Sequence, residues 1–325
     1  MATLRYVNDA QPGVRRLRRG RGFHYVGKKG PVAAAERERI QGLAIPPAWT
    51  DVWICADPDG HIQATGRDAR GRKQYRYHPR WRAARDRGKF ERLAEFGAAL
   101  PLLRAEIDER LEAGGPLTYE RVVALVLALL DETLIRVGNS EYLDNGSHGL
   151  TTLTADHVAW GAGELTFCFP GKSGREHTVA VDDRRMARLV KRCHQLGGQH
   201  LFSYHTRSGD PGVVTSGDVN DALREITGLD QVSAKDFRTW GGTAVVTELL
   251  AASPPGPDDS VVLEAIDLAA ERLGNTRAVC RASYVHPQVT SAAAEGRLQE
   301  IWAATRARKH LRRAEVTLLE LVSPG

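Results

Sequence analysis

The sequence predicts an α+β protein. A small antiparallel β-rich N-terminal domain spans residues 1–89, and a larger, mainly α-helical domain with one short β-hairpin spans residues 90–325. Three observations support this. The chain has 325 residues, and at ~150 residues per domain that length divides into two. Short strand-like segments, two of them flanking a Pro-Gly turn, make the first 89 residues read as β-rich, and beyond Gly88 the apolar residues recur at helical spacing. Hydrophobic residues make up 42% of the chain and charged residues 26%, which is enough apolar material for two packed cores and excludes a disordered chain.

In the first domain, residues 23–26 read as a strand. Residues 52–55 and 61–65 flank Asp57-Pro58-Asp59-Gly60, where Pro presets one backbone angle and Gly accepts the others that a turn needs. Residues 73–77 add a strand whose period of two sets Tyr75 and Tyr77 on one face and Gln74 and Arg76 on the other. In the second domain, helices are expected over 90–111, ending at Gly114-Gly115, and over 120–135, an apolar core element. Strands over 165–169 and 176–181 flank Pro170-Gly171-Lys172-Ser173-Gly174, a hairpin with Lys172 near its tip. Helices follow over 183–196, 216–226, 233–250 and 260–273, then a helical stretch over 292–321. Ser233 and Asp236 form an S-x-x-D capping box, and a Pro-rich connector spans 253–258.

The net charge of +5 hides a strong asymmetry: residues 1–90 carry 20 Lys and Arg against 8 Asp and Glu, and the remainder carries 25 against 32. Between Arg67 and Lys89, ten basic residues face only Asp68 and Asp86. Clustered positive charge of this kind fits a polyanion, most often nucleic acid. The longest strictly apolar run, residues 122–130, is far short of the ~20 residues a membrane helix needs. The first ten residues hold no apolar signal core. Cys55, Cys168, Cys193 and Cys280 stand far apart with no CxxC pair, so a reducing, cytoplasmic address is expected and a cysteine zinc site is not. Lys172-Ser173 resembles the end of a phosphate-binding loop, but Thr166 occupies the position that needs its first glycine; no GxGxxG follows a strand and there is no HExxH.

What remains is a set of separated cationic and polar residues, each beside a structural break. Arg136 follows the apolar helix, Lys172 is on the hairpin, and Lys235 and Arg238 lie in the first turns of the helix capped by Ser233. Asn275 follows Gly274, and Tyr284 precedes Pro287. Taken with Ile45-Pro46-Pro47-Ala48-Trp49, Gly71-Arg72-Lys73-Gln74-Tyr75-Arg76-Tyr77, Arg136-Val137-Gly138-Asn139, Gly149-Leu150-Thr151-Thr152-Leu153, Gly171-Lys172-Ser173-Gly174, Lys235-Asp236-Phe237-Arg238-Thr239 and Ser283-Tyr284, this order resembles the type IB DNA topoisomerases, specifically their short viral and bacterial branch.

The resemblance implies a tyrosine-recombinase-like catalytic fold and an enzyme that nicks one strand of duplex DNA without ATP. It implies that Tyr284 attacks a phosphodiester to form a 3′-phosphotyrosyl link, frees a 5′-hydroxyl, lets the duplex rotate and reseals. Arg136 and Arg238 would hold the phosphate oxygens, Lys172 would be the general acid, Lys235 would assist that transfer or touch phosphate, and Asn275 would hydrogen-bond a non-bridging oxygen. Asn275 stands where some members have His, and Asn cannot usefully donate a proton, so hydrogen bonding is its expected role. The basic first domain would clamp the duplex, with Arg67, Lys73, Gln74, Tyr75 and Tyr77 at the DNA. No cofactor, metal, nucleotide or membrane partner is expected, and a monomer associated with the nucleoid suffices. The rival readings are a tyrosine site-specific recombinase, which the β-rich first domain disfavours, and a non-catalytic DNA-binding protein, which the filled catalytic positions disfavour.

Overall fold

The computed structural model describes residues 4–323 apart from 21, 29, 70, 140–145 and 162–164, and the chain divides into two compact units, Met1–Lys89 and Phe90–Gly325. Within the basic run, Arg70 and the side chains of Arg85, Asp86 and Arg87 lie outside the described residues.

The first unit is built on β1 (Gly13–Arg19), β2 (Gly22–Gly27), β3 (Gly30–Pro31), β4 (Thr50–Cys55), β5 (Ile62–Arg67) and β6 (Lys73–Tyr77), with α1 (Ala34–Gly42) between β3 and β4. The strands form one antiparallel sheet in the order β3-β2-β1-β4-β5-β6. Register aligns Val14, Ile54 and Ala64 across three strands, and with Val52 and Ile40 of α1 they make the core of this unit. The opposite face aligns Arg15, Trp53, Thr65 and Tyr75, since directly paired residues share a face.

Neither β1 nor α1 is anticipated by the sequence reading. The strand GVRRLRR hides because a buried arginine takes an inward position that periodicity reserves for apolar residues. Arg16 donates to the carbonyls of Ile45, Pro46 and Trp49 at 3.3, 3.1 and 2.5 Å and lies 4.2 Å from the centre of the Phe23 ring. The Ile45–Trp49 motif is therefore held by its backbone oxygens as well as by Ile45 and Trp49, which pack on the core.

The second unit is mainly helical. Its helices are α2 (Pro79–Glu112), whose residues from Phe90 onward belong to it, α3 (Tyr119–Thr133), α4 (Arg184–Leu196), α5 (Ser216–Thr227), α6 (Ala234–Ala252), α7 (Asp259–Arg272), α8 (Arg277–Ser283), α9 (Pro287–Ala294), α10 (Arg297–Ala304) and α11 (Arg313–Val322). A three-stranded antiparallel sheet comprises β7 (Val158–Trp160), β8 (Leu165–Pro170) and β9 (Glu176–Val181), and β10 (Ser203–His205) pairs with β11 (Pro211–Val213). Among the described residues, no helix is long and apolar enough to cross a membrane.

Several boundaries differ from expectation for local reasons. Helix α2 starts at Pro79 rather than Phe90, because proline suits a first helical position and the basic run that follows shows no apolar period. Helix α3 stops at Thr133 rather than Ile135, since Leu134 turns into the left-handed region at φ 55°. The C-terminal stretch is three helices, broken first at Gly296, whose φ of 78° ends α9.

Helices α3 and α6 are buried along most of their length. Gly97 of α2 lies against Trp240 of α6 so closely that a Cβ there would stand 2.2 Å from the indole. A buried ionic cluster ties four helices together. The fully buried Glu315 of α11 accepts from Arg104 of α2 at 2.7 and 2.9 Å and from Trp240 Nε1 at 3.0 Å, and Arg104 also reaches Asp131 of α3 at 2.7 Å.

Candidate active site

The turn after α3 begins the site. Leu134 caps α3, its side chain fits against Gly241 of α6, and the chain then leaves the helix for Arg136. The next residues are fixed by backbone bonds, Leu150 N to Arg136 O at 2.9 Å and Thr151 N to Val137 O at 2.7 Å, so the Arg136-Val137-Gly138-Asn139 and Gly149–Leu153 motifs hold each other. A Cβ at Gly149 would stand 2.5 Å from Arg136 O, and only glycine allows this approach.

Arg238 sits one turn into α6, behind the Ser233–Asp236 capping box, whose carboxylate accepts from Ser233 N at 2.8 Å. It is buried, with 4% exposure, and its guanidinium donates to Leu134 O and, at 2.8 Å, to Leu273 O. These two carbonyls close α3 and α7, where the helix dipoles favour a cation. Among the described residues no carboxylate pairs with Arg238 or Arg136, and Arg238 Nε has no partner. Burial, then the nearby Arg136, pushes the Arg238 pKa down to about 10, still high enough to stay charged at pH 7. Arg136 is half-buried and donates to Asn275 Oδ1 at 2.7 Å, and Asn275 Nδ2 is buried without a partner. An unpaired amide N–H and two uncompensated guanidiniums make a site that suits an anion with several acceptor oxygens.

Tyr284 follows α8. Its N–H bonds Cys280 O at 2.8 Å, Thr243 Oγ1 donates to its carbonyl at 2.9 Å, and Gly242 of α6 leaves room for it. The Tyr284 ring centre lies 5.1 Å from Cζ of Arg238. Burial alone would raise the phenol's pKa, but the charges of Arg238, Arg136 and Lys235 outweigh it and hold the pKa below the usual 10. Arg238, Arg136, Asn275 and Tyr284 are thus brought together. Lys235 is exposed at the start of α6, near enough for its charge to act on the phenol. Lys172 is exposed on the tip of the β8–β9 hairpin, in a short 3-10 turn, and among the described residues no hydrogen bond or ion pair joins it to the other five. No group of three His, Cys, Asp or Glu side chains among the described residues could hold a metal ion.

In the first unit, β6 is an edge strand of the sheet. Tyr75 and Tyr77 stack at 5.8 Å with 12° between their planes, and Lys73 Nζ lies 5.6 Å from the Tyr75 ring centre and 2.7 Å from Asp9. Gln74, on the other face, donates to Asp68 at 3.0 Å, and Arg67 donates to Gly71 O at 2.8 Å. Sequence reasoning overlooks the exposed Arg15, which register aligns with Tyr75; the alternation of β1 carried the signal, masked by Arg16. It also overlooks His177 and Arg175 on β9 and the loop before it, which approach the Asn275 turn and have no sequence signature.

Residues 78–311 match the family model described as the catalytic core of eukaryotic DNA topoisomerase I, and residues 22–68 match that of the N-terminal domain of bacterial DNA topoisomerase IB. The DNA topoisomerase 1B of Acanthamoeba polyphaga mimivirus is 32% identical over 276 residues, covering 81% of each chain.

Proposed function

Since the chain belongs to the type IB DNA topoisomerases, an isomerase family whose substrate is double-stranded DNA, we propose that its chemistry runs through Tyr284 with Arg136, Arg238, Lys172, Lys235 and Asn275. The observation that supports this best is the Tyr284 phenol beside two guanidiniums with which no carboxylate among the described residues pairs. The phenolic oxygen attacks the phosphorus as its proton leaves to solvent, the P–O5′ bond breaks, and the 5′-oxygen takes a proton from Lys172. An alkoxide is a poor leaving group, so this proton matters. Arg136 and Arg238 hold the non-bridging oxygens as charge builds, with Asn275 Nδ2 as a further donor. One phosphodiester is exchanged for another, so the bond energy is conserved and resealing needs no nucleotide. While the 5′ end is free the duplex rotates, and supercoils of either sign relax. One chain suffices for this cycle, and association with the nucleoid follows from the substrate.

The direct test is to stop a reaction with detergent, digest the protein and locate the nucleotide adduct by mass spectrometry. The expected adduct is on Tyr284 through a DNA 3′-phosphate; a 5′-linkage or another modified residue overturns the assignment.

Arg238→Ala is expected to slow cleavage by on the order of 10²–10³ and to raise the Tyr284 pKa, read as ionisation at higher pH in an ultraviolet titration. Arg238→Lys should recover little of the rate, since an ammonium cannot bridge Leu134 O and Leu273 O and still offer a fork to phosphate.

For the first unit we propose a DNA-clamping role in which Arg67, Lys73, Gln74, Tyr75 and Tyr77 face the duplex. The Lys73–Asp9 pair is partly open to solvent, so it can exchange for a phosphate contact. Lys73→Gln should weaken duplex binding and reduce the slope of log affinity against log salt by about 1, while Asp9→Asn should tighten binding. Identical salt slopes for both variants and the unaltered protein would remove Lys73 from the interface.

A further inference from the structure

We propose that His177 is a positioning residue that seats the Lys172 hairpin on the turn between α7 and α8, and so brings the general acid to the leaving 5′-oxygen. This rests on the reading of Lys172 given above. The imidazole is wedged between two glycines from different parts of the fold. A Cβ at Gly171, next to Lys172, would stand 2.3 Å from His177 Cδ2, and a Cβ at Gly274, next to Asn275, would stand 2.0 Å from His177 Cε1. Gly171 has φ −92°, a conformation open to any residue, so its backbone does not require glycine; the ring's approach does. The ring is held flat from its own hairpin, stacked on its cross-strand partner Phe169 at 5.2 Å with 9° between planes.

A second tie runs in parallel, from Arg175 Nη1 to Asn275 O at 3.1 Å, and the end of β8, where the hairpin turn begins, is fixed by His148 N to Pro170 O at 2.9 Å. Among the described residues Lys172 itself has no such anchor, and it is exposed, so its placement depends on what holds the residues beside it. Histidine suits this place electrostatically. Burial, then the charges of Arg136, Arg238 and Arg175, keeps the imidazole pKa below 6.5, so the ring is neutral at pH 7 and fills the gap without competing with the arginines for phosphate.

The test compares cleavage of an ordinary duplex with that of a duplex whose scissile phosphate carries sulfur in place of the bridging 5′-oxygen. A thiolate leaves without a proton, so the sulfur substrate bypasses the acid. Lys172→Ala is expected to lose on the order of 10²–10⁴ in rate on the oxygen duplex and to recover to within about tenfold of the unaltered protein on sulfur. His177→Ala, through misplacement of the hairpin, is expected to lose about 10² on oxygen and to recover in the same way. Gly171→Ala, which displaces the ring from the hairpin side, should behave like His177→Ala, and His177→Phe, which keeps a flat ring on Phe169, should retain most of the oxygen rate. If sulfur restores Lys172→Ala but neither His177→Ala nor Gly171→Ala, or if both of these cleave oxygen as fast as the unaltered protein, the role of His177 is overturned. If sulfur fails to restore Lys172→Ala, the acid assignment falls and this inference with it.

Discussion

Tyr284→Phe is expected to abolish covalent adduct formation and plasmid relaxation, with a loss on the order of 10⁴–10⁶ in cleavage rate, the range seen when a covalent nucleophile is removed. Affinity for duplex DNA should stay within about twofold, because the ring keeps its place beside Arg238 and no contact of the first unit changes. The melting temperature should also hold, since the backbone bonds to Cys280 and Thr243 fix this residue without the hydroxyl. Filter binding and single-turnover cleavage on one short duplex separate the two effects. Relaxation at the normal rate by the variant would exclude Tyr284 as the nucleophile, and lost binding would show that the phenol acts in recognition.

The second large effect is on stability. Glu315→Ala is expected to cost about 3–5 kcal/mol, the usual penalty for breaking a buried ion pair from one side. The variant leaves Trp240 Nε1 without its acceptor and leaves Arg104 with Asp131 as its remaining carboxylate among the described residues. For a unit of this size that corresponds to a melting temperature lower by roughly 6–20 °C. The same group predicts an acid limb. Burial alone would raise the carboxyl's pKa, but Arg104 and Arg312 lower it from 4.5 to about 2. A carboxylate with a depressed folded pKa contributes its full stability above 4.5 and loses it progressively as the pH falls toward 2, a total of about 3 kcal/mol. Glu315→Gln should therefore be less stable at pH 7 and show a flatter decline between pH 4.5 and 2. Denaturant unfolding across that window measures both quantities, and parallel curves for the two proteins would exclude Glu315 as the origin of the limb.

Much of the architecture is legible from sequence, because many elements carry their own signal. Residues 23–26 and 73–77 lie in β2 and β6, the second with a period of two; the hairpin around Gly171 and Lys172 alternates on both sides of its turn; and Ser233 with Asp236 marks the start of α6 as a capping box. The elements that escape carry none. The inward residue Arg16 makes β1 look like a solvated charge run. The left-handed turn at Leu134 comes from a residue type that rarely adopts it, and Gly241 across the interface makes the space.

The candidate site divides in the same way. Order and local motif, through their resemblance to the type IB topoisomerases, single out Arg136, Lys172, Lys235, Arg238, Asn275 and Tyr284 before any coordinates, where each residue type taken alone is a weak signal. Tertiary structure alone decides that Arg238 hangs from the carbonyls of the residues that cap α3 and α7, that Asn275 Oδ1 is taken by Arg136 while Nδ2 remains open, and that His177 fills the gap between Gly171 and Gly274. Backbone oxygens are the same in every residue, and a close approach depends on what another part of the chain brings to meet it. Identity along the chain therefore specifies which groups can do chemistry, and packing in three dimensions specifies how those groups are held and charged.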